Sequence, residues 1–436
     1  MGLQTALRGL LAQQRALDVA SHNVANANTA GYSRQEAVMT AADAFTIPAG
    51  AVQSGAPAQL GTGVEVQAYR RIRDTFLDLQ YRAQAMRLGD AAAKSRSLDQ
   101  VELGLAEPGE NGIAAQLDRF WSGWADLANA PDSAATRQAL VEHARALATS
   151  FATLDGQLAT VSQQAADEYA SITGTSGEVS QYANEIARLN DAIRNAYTSG
   201  SQPNDLLDKR DQLLDQLSGL AQVSTTDLGD GTIRVNFGDA ASPLVNGTTV
   251  TWPQALSAPG GKLGALLQLS SPTGTIASYR ADLNAAAKQL ADSVNAIHNG
   301  GTGTDFFTYT AGSEAATLTV NVTATGVRTS TTTAPGANDV ALAITNLRGG
   351  AADQAYATLV SRIGNDVREA KRQEANSQLL LDAVQDRRES SSGVSLDEEM
   401  SNLIRFQRGY QASARAMTTL DEMLDVLINR TGRAGL

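Results

Sequence analysis

The chain has 436 residues, of which 42% are hydrophobic and only 5% aromatic. This length predicts about three domains and a substantial buried core. The 46 acidic residues outnumber the 34 basic ones, which gives a net charge of −12, and no basic block is present. The charge pattern excludes the electrostatic footprint of a nucleic-acid-binding protein, so no nucleic-acid partner is predicted.

The sequence contains no cysteine, which excludes disulfides and thiolate metal sites. A cleaved signal peptide is not predicted, because Gln4, Arg8 and Gln13 interrupt the apolar stretch at the N-terminus. No apolar run approaches the roughly 18 residues that a membrane span needs. We therefore predict neither a membrane anchor nor a membrane partner.

Apolar residues near the N-terminus repeat every seven residues: Leu3, Leu10, Leu17 and Val24, with Leu7 on the same side. This spacing predicts a helix with a coiled-coil seam. The segment that follows, HNVANANTAGYSRQ, predicts a shaped turn around Asn26, Asn28 and Gly31. Asparagine tolerates left-handed backbone conformations, and glycine supplies a positive φ at low cost.

The middle of the chain begins with an extended connector from Glu36 to Val66, which contains Pro48 and Pro57 and predicts short strands. Helical periodicity then predicts five helices: Tyr69 to Val101, Ile113 to Ala130, Ala134 to Ile172, Glu178 to Tyr197 and Asp205 to Leu220. Together these helices predict a bundle.

The composition changes after Val223, where Asp230-Gly231 and Asn246-Gly247 predict two hairpin turns between short β-branched runs. Helical spacing returns over Leu263 to Leu269 and Ile276 to His298, and the threonine-rich stretch from Phe306 to Ser330 predicts further strands. A long helix is then predicted from Ala352 to Arg388, followed by a hinge from Ser390 to Gly393.

A second heptad pattern runs near the C-terminus through Leu396, Leu403, Tyr410, Met417 and Leu424, with Phe406, Leu420 and Leu427 three residues after members of that row. Ser395 and Glu398 form a capping box that begins this helix. The two terminal helices pair only if the intervening chain returns to its start. Gln14, Ser21 and Ser413 interrupt the seams, so we expect the pair to be marginal in a free monomer.

The predicted fold is mainly α with a β-rich insertion, and it combines paired terminal coiled-coil helices, a long-helix bundle and a small β domain. The terminal domain comprises residues 1–35 and 394–436. The bundle comprises residues 36–222, 262–298 and 337–393. The β-rich insertion comprises residues 223–261 and 299–336.

Catalytic motifs are lacking. The three histidines are scattered through the sequence and favour capping or surface roles: His22, His143 and His298. Gly260-Gly261-Lys262 lacks the spacing of a phosphate-binding loop. Asp421, Glu422 and Asp425 favour an exposed acidic helix face over a metal site. We predict no enzyme activity, no metal and no cofactor.

The heptad seams have two interpretations. Most such stripes are intramolecular core. Assembly is favoured here because the seams reach nearly to both chain ends, where soluble domains are usually polar and frayed. Small residues also line the other sides of the N-terminal helix: Ala6, Ala12, Ala16 and Ala20. The competing hypothesis is a secreted enzyme or adhesin that acts through the β-rich insertion.

The segments LLAQQRALDVASHNVANANTAGYSRQ and GVSLDEEMSNLIRFQRGYQASARAMTTLDEMLDVLIN resemble the ends of bacterial flagellar axial proteins. The SLDEEM block resembles the hook-filament junction proteins, while hook protein and flagellin are the alternatives. The resemblance implies a structural subunit that polymerises through its terminal helices and joins hook to filament. It also implies an extracellular location in the flagellum, reached through the flagellar type III apparatus without a cleaved signal peptide.

The partners implied by the resemblance are copies of the chain in an axial ring, the hook protein, a second junction protein, and an export chaperone at the C-terminal helix. The predicted assembly interface comprises both seams and the turn: Leu3, Leu7, Leu10, Leu17, Val24, Asn26, Asn28, Gly31, Leu396, Leu403, Phe406, Tyr410, Met417, Leu420, Leu424 and Leu427.

Overall fold

The computed structural model describes residues 2–47, 58–301 and 303–430. The helices are α1 (Gly2–Ala25), α2 (Thr75–Leu105), α3 (Ile113–Asn129), α4 (Ala134–Thr173), α5 (Glu178–Thr198), α6 (Asn204–Leu220), α7 (Gly261–Ser270), α8 (Thr275–Asn299), α9 (Glu314–Thr317), α10 (Asp339–Thr345), α11 (Ala351–Ser392) and α12 (Leu396–Asp425). A π-helical turn, Val426–Arg430, continues α12. The predicted mainly α fold is confirmed.

The strands form four small antiparallel sheets. Their bounds are β1 (Gln35–Ala41), β2 (Phe45–Ile47), β3 (Ala58–Leu60), β4 (Val64–Arg71), β5 (Val223–Asp227), β6 (Ile233–Phe237), β7 (Val245–Asn246), β8 (Thr249–Val250), β9 (Phe307–Thr308) and β10 (Thr319–Val320). β1 pairs with β4, β2 with β3, and β9 with β10, while β5 to β8 form one four-stranded sheet in chain order. Pro48 and Pro57 of the predicted connector lie outside the described residues.

The core of the bundle is built around α3, whose apolar face buries Phe120, Trp121 and Trp124. The ring centroids of Trp124 and Phe306 lie 5.4 Å apart, and those of Phe120 and Phe307 lie 5.6 Å apart. Aromatic pairs at these separations add stability beyond the burial of their area. The residues that follow α8 are therefore held against α3 by aromatic packing.

Helix α11 is the longest helix and packs antiparallel along α2. Lys371 lies 2.8 Å from Asp99. Arg388, nearer the end of α11, lies 2.9 Å from Asp78, near the start of α2, so the two helices run in opposite directions. The first half of α11 buries Tyr356 and Ile363 in the core, whereas most residues after Ala370 are exposed. Its second half therefore carries the chain from the bundle to α12.

Both predicted hairpin turns are confirmed. Gly231 has φ 87° between β5 and β6, and Gly247 has φ 61° between β7 and β8. The sheet is fixed to α5 by Asn190, whose Nδ2 donates to the carbonyl oxygens of Ile233 at 3.1 Å and Gly247 at 2.6 Å. One buried amide thus links the helix to both hairpins.

The strands predicted from Phe306 to Ser330 are mostly wrong. Only β9 and β10 form there, with the short helix α9 between them. Threonine side chains satisfy the backbone instead, as when the amide of Thr310 donates to Thr317 Oγ1 at 2.8 Å. The apolar residues Val322 and Val327 are buried in the main core. Tertiary packing therefore overrides the β propensity of this segment.

Two boundaries also differ from the prediction. Helix α2 begins at Thr75 and not at Tyr69, because Asp74 caps it by accepting from the amide of Phe76 at 2.8 Å, and Tyr69 lies in β4. Helix α11 continues through Ser392, so the predicted hinge from Ser390 to Gly393 is mostly helix. The division of the chain into three domains stays a prediction.

No helix in the described part of the chain is both long and apolar enough for a bilayer span. His298 is buried, which corrects the prediction of a capping or surface role. Its Nδ1 lies 2.9 Å from the Thr304 carbonyl oxygen, and its Nε2 accepts from the Arg328 amide at 2.9 Å. Burial lowers the pKa of His298, so the neutral ring serves as a fixed link between two loops.

Candidate assembly interface

The terminal helices α1 and α12 pack against each other as an antiparallel pair. At one end a Cβ placed on Gly2 would lie 3.2 Å from Leu420 Cδ1, and in the middle one placed on Gly9 would lie 3.1 Å from Ser413 Oγ. At the other end, Asn23 Nδ2 donates to Glu399 Oε2 at 3.2 Å. The partner position in α12 falls steadily as α1 advances, so one register holds along the whole pair.

Small residues make this close approach possible. A Cβ placed on Gly409 would lie only 2.8 Å from Gln13 Cδ. On α1 the buried residues are Ala12, Ala16 and Ala20, each no more than 2% exposed, together with Asn23. The residues that α1 buries against α12 are small, because helices this close leave room only for small side chains.

The predicted interface residues remain accessible in the single chain. The partly exposed ones are Leu3, Leu10, Leu17, Val24, Asn26, Leu403, Phe406, Tyr410, Met417 and Leu420. The exposed ones are Leu7, Asn28, Gly31, Leu396, Leu424 and Leu427. Gly31 has the predicted positive φ, at 78°.

Part of a second apolar row was missed by the heptad interpretation, which included Leu396 but not Met400 or Ile404. Leu396, Met400 and Ile404 follow one another at a spacing of four residues, and all three are about half exposed. Leu7 and Leu11 repeat this spacing on α1. The outer apolar residues of the terminal pair are Leu7, Leu11, Leu396, Met400, Ile404 and Met423. Several such residues on one pair of helices are typical of a surface that a partner covers.

Asn23 was not among the predicted interface residues, although it lies in the asparagine-rich segment. It is 1% exposed. Its Oδ1 accepts from Tyr32 Oη at 2.7 Å and from the Gln35 amide at 3.0 Å, while its Nδ2 donates to the Gln35 carbonyl oxygen at 2.9 Å and to Glu399. One side chain therefore joins α1, the turn, β1 and α12.

Asn26 acts more locally. Its Nδ2 donates to the His22 carbonyl oxygen at 3.0 Å, and its Oδ1 accepts from Thr29 Oγ1 at 3.2 Å. These bonds end α1 and shape the turn that follows, as capping side chains do. The sequence signal for Asn23 is weak, because an asparagine near a helix end is usually exposed.

Arg34 ties the turn to the start of α12. Its Nε lies 2.8 Å from Glu399 Oε1, and its Nη1 donates to Glu398 Oε2 at 2.7 Å. Its amide donates to the Ser392 carbonyl oxygen at 2.9 Å. Glu398 and Glu399 therefore do more than complement the helix dipole, because they fix the angle at which α12 leaves α11.

Below the turn lies an arginine-aspartate network that connects the terminal pair to the bundle. Its members are Arg71, Arg73, Arg82, Arg388, Asp78, Asp208, Asp211 and Asp215. Arg388 bridges Asp78 at 2.9 Å and Asp215 at 2.7 Å. Ser33, in the turn, donates through its amide to Asp208 Oδ2 at 3.0 Å. The network adjoins a cavity of about 850 Å³ between the turn and the end of α11.

Asp211 and Arg73 keep their charges despite burial. Burial by itself raises the pKa of Asp211, but Arg73, Arg71 and Arg82 outweigh it and hold that pKa below the ordinary 3.8. Burial by itself lowers the pKa of Arg73, yet Asp211 and Asp78 raise it above its ordinary value. Breaking such a network by removing one member leaves buried charges without partners, which is strongly destabilising.

This network predicts a specific dependence on pH. Because the pKa of Asp211 is lower in the folded chain than in the unfolded one, its ion pairs contribute fully above the ordinary value of 3.8. That contribution is lost as the pH falls through the lower, folded pKa. Asp211→Asn should cost about 3 kcal/mol at pH 7. The variant's melting temperature should also fall less steeply than that of the wild type below about pH 4.

The control is Asp282→Asn, which removes an exposed ion pair with Arg362, 2.6 Å away. Exposed pairs contribute about 0 to 1 kcal/mol, so this variant should melt like the wild type at every pH. Thermal unfolding followed by circular dichroism from pH 7 to pH 2 measures both. Parallel curves for Asp211→Asn and the wild type would show that the network carries no pH-dependent stability.

The described residues contain no group of three or more histidine, aspartate or glutamate side chains placed to hold a metal ion. Lys262 lies in the first turn of α7 and forms an ion pair with Glu168 at 2.6 Å. Its ammonium group is therefore engaged in a structural contact.

Three family models match the chain. The flagellar hook-associated protein FlgK helical domain matches residues 98–256. The flagella basal body rod protein model matches residues 3–32, and the flagellar basal body rod FlgEFG protein C-terminal model matches residues 386–430. The last two cover the terminal pair and the end of α11.

Curated relatives match over the full chain. Flagellar hook-associated protein 1 of Bacillus subtilis is 29% identical over 100% of this chain and 99% of its own length. The protein of the same name from Escherichia coli is 26% identical over 98% of this chain and 99% of its own length. The solved flagellar hook junction protein FlgK from Burkholderia pseudomallei matches at a TM-score of 0.46 and 25% identity, over 53% of this chain and 46% of that one.

These matches agree in their order along the chain. A helical domain of the hook-associated protein lies between two terminal segments that the chain shares with flagellar rod proteins, and the full-length relatives carry one name. The relatives are structural proteins of the flagellum. The chain is therefore similar over its full length to flagellar hook-associated protein 1, and it is a structural subunit of the flagellar hook-filament junction.

Proposed function

We propose that the chain polymerises with copies of itself through α1 and α12, and that this assembly holds the filament to the hook. The observation that carries the proposal is the exposure of apolar residues on both terminal helices, with Met400 53% and Ile404 48% exposed. Within Leu396–Asp425, Glu399 is the one buried residue. A helix that buries so little against its own chain gains most of its stabilisation from neighbours.

The predicted seam and the outer apolar residues together form the proposed interface. The seam contributes Leu403, Phe406 and Tyr410, which are partly exposed beside α1. The outer apolar residues add Met400 and Ile404 on the far side of α12. Neighbouring copies would then contact α12 on two sides, which suits a subunit enclosed by others in a ring or tube.

Three further partners are proposed from the resemblance to flagellar axial proteins and from the exposed apolar residues of α12. Hook protein and a second junction protein would lie on either side of the assembled ring. An export chaperone would cover the apolar residues of α12 before assembly, since an exposed apolar helix invites aggregation. We further infer export through the flagellar type III apparatus to the cell exterior, and no catalytic role.

Complementation of a strain that lacks the chain tests this function. The full chain should restore swimming. A chain that ends after Gly393 lacks α12, so it should leave cells non-motile, with unpolymerised flagellin in the medium. Asp282→Asn, a bundle surface change, is the control and should restore swimming fully.

Restoration of attached filaments by the chain that ends after Gly393 would contradict assembly through the terminal pair. Attached filaments in the deletion strain itself would contradict the joining role. Western blots of medium and cells, with antibody against this chain, show in each case whether the variant was made and exported.

A further inference from the structure

A cavity of about 770 Å³ lies away from the terminal pair, between the end of α5, α6, the end of β4 and the turn that joins β5 to β6. Three arginines line it: Arg71, Arg194 and Arg210. Tyr197 and Thr198 add hydroxyl groups at its side. We call it the arginine pocket. Its cationic lining is notable in a chain whose net charge is −12.

Arg210 lies at the base of the arginine pocket and is 8% exposed. Its Nη1 donates to Asn190 Oδ1 at 2.9 Å and to the Gly231 carbonyl oxygen at 2.8 Å. Its Nε is buried without a hydrogen-bond acceptor. Among the described residues, no carboxylate lies within 4.0 Å of its guanidinium. A buried arginine without a carboxylate at ion-pair distance is costly, and an anion would relieve that cost.

The other two arginines also keep donors available. Arg71 uses Nη1 for Asp208 at 2.8 Å and for Asp211 at 3.0 Å. Arg194 uses Nη2 for Asp191. Within the described hydrogen bonds, the remaining nitrogens of both guanidinium groups have no protein acceptor. Each guanidinium therefore still has an edge that suits the paired oxygens of a phosphate or carboxylate group.

The two acidic residues of the lining, Asp227 and Asp230, accept hydrogen bonds from the turn between β5 and β6. Asp227 Oδ1 accepts from the Gly229 amide at 2.8 Å. Asp230 Oδ1 accepts from the Thr232 amide at 2.9 Å and from its hydroxyl at 2.5 Å, and these bonds lower the pKa of Asp230. The two carboxylates shape the turn, and neither forms an ion pair with Arg210.

Gly231 makes the wall of the pocket rigid. It has φ 87°, and a Cβ at this position would overlap the ring of Tyr197. Any other residue would push the turn away from α5 and take its carbonyl oxygen from Arg210. Gly231 therefore fixes both the turn that forms one wall of the arginine pocket and the position of Arg210 at its base.

We propose that the arginine pocket binds an oxyanion, either a phosphate group or a carboxylate group, with Arg210 at its base and Arg71 and Arg194 at its sides. Two or three guanidinium edges around one anion give charge-assisted hydrogen bonds in fixed directions. None of the three arginines lies on α1 or α12, so the proposed anion site is separate from the proposed assembly interface.

The test uses the full chain as a dilute monomer, with inorganic phosphate and sodium glutamate as probes and sodium chloride at equal ionic strength as the reference. Isothermal titration and thermal unfolding are measured together. In the wild type, one of the two oxyanions should bind saturably and raise the melting temperature beyond the chloride reference. Tighter binding of phosphate identifies a phosphoryl group as the ligand, and tighter binding of glutamate identifies a carboxylate, such as an acidic side chain.

Arg194→Gln removes one side of the pocket at a residue that is 41% exposed, so the fold is preserved. We expect its dissociation constant for the preferred anion to rise about tenfold. Arg210→Lys keeps the positive charge but loses the paired N–H donors of the guanidinium group, and it should abolish saturable anion binding. The matched control is Arg188→Gln on the same helix, where the side chain is 77% exposed and pairs only with Glu185. It should bind like the wild type.

The proposal is overturned if neither oxyanion exceeds the chloride reference in the wild type. It is also overturned if Arg194→Gln and Arg188→Gln bind equally. Should Arg210→Lys fail to fold, the comparison of Arg194→Gln with Arg188→Gln decides alone.

Discussion

Ile404→Asp is expected to leave cells non-motile and to release flagellin into the medium, while the purified monomer melts as the wild type does. Ile404 is 48% exposed in the single chain, so a charge there remains hydrated in the monomer. Between neighbouring copies the same carboxylate would be desolvated, at a cost of several kcal/mol per subunit. Each subunit in a ring would carry the substitution at its contacts with both neighbours. The loss of attached filaments should therefore be close to complete.

Ser401→Asp is the matched control, because it places the same charge on α12 at an exposed polar position. It should support swimming if the effect at position 404 reflects apolar burial. The seam substitutions Leu10→Asp and Leu403→Asp should resemble Ile404→Asp in motility assays, since both side chains are partly exposed. Swimming cells with attached filaments in the Ile404→Asp strain would remove the outer apolar residues from the interface.

The elements at the chain ends could be predicted because their signals are local. The heptad spacing and the Ser395 cap predict α12 nearly to the residue, and the asparagine-rich segment predicts the positive φ of Gly31. Register between α1 and α12 could not be predicted. It depends on Gly9 meeting Ser413 and on Gly409 meeting Gln13, which are contacts between residues about four hundred positions apart.

The assembly interface could be predicted only in part, because it too depends on how the two terminal helices face each other. Apolar residues at spacings of three, four and seven form one stripe on a helix, but α12 carries Met400 and Ile404 outside that stripe. The sequence does not say which stripe faces the other terminal helix. Alanines fill that contact on α1, and the row through Met400 and Ile404 is left outside. Asn23 was missed because its structural role depends on hydrogen-bond partners on three other elements.

In the dilute monomer, the backbone amides of the terminal pair are expected to exchange hydrogen much faster than those of the bundle. Within α1 the buried side chains are three alanines and Asn23, and within α12 Glu399 alone is buried. By contrast, the first half of α11 buries Tyr356, Leu359, Ile363 and Val367. Burying a methyl group stabilises far less than burying a leucine or tyrosine side chain.

We therefore expect backbone amides in α1 and α12 to exchange at least about a thousandfold faster than those between Tyr356 and Val367. Ordering the terminal helices costs about 1 to 2 kcal/mol per residue in backbone entropy, and contacts with neighbouring copies offset most of it. The same amides should become protected once the chain is polymerised, which makes the assembled form the internal control.

Ends that order only on assembly would give the subunit two properties at once. Dilute chains would not polymerise prematurely, because nucleation requires several copies to fold their ends together. The hydrogen bond between Asn23 and Glu399 and the ion pair between Arg34 and Glu399 would then form on assembly, fixing how α12 joins the bundle. Equal protection of α1, α12 and α11 in dilute monomer would mean a preformed pair, and the outer apolar residues would then have to drive assembly between rigid surfaces.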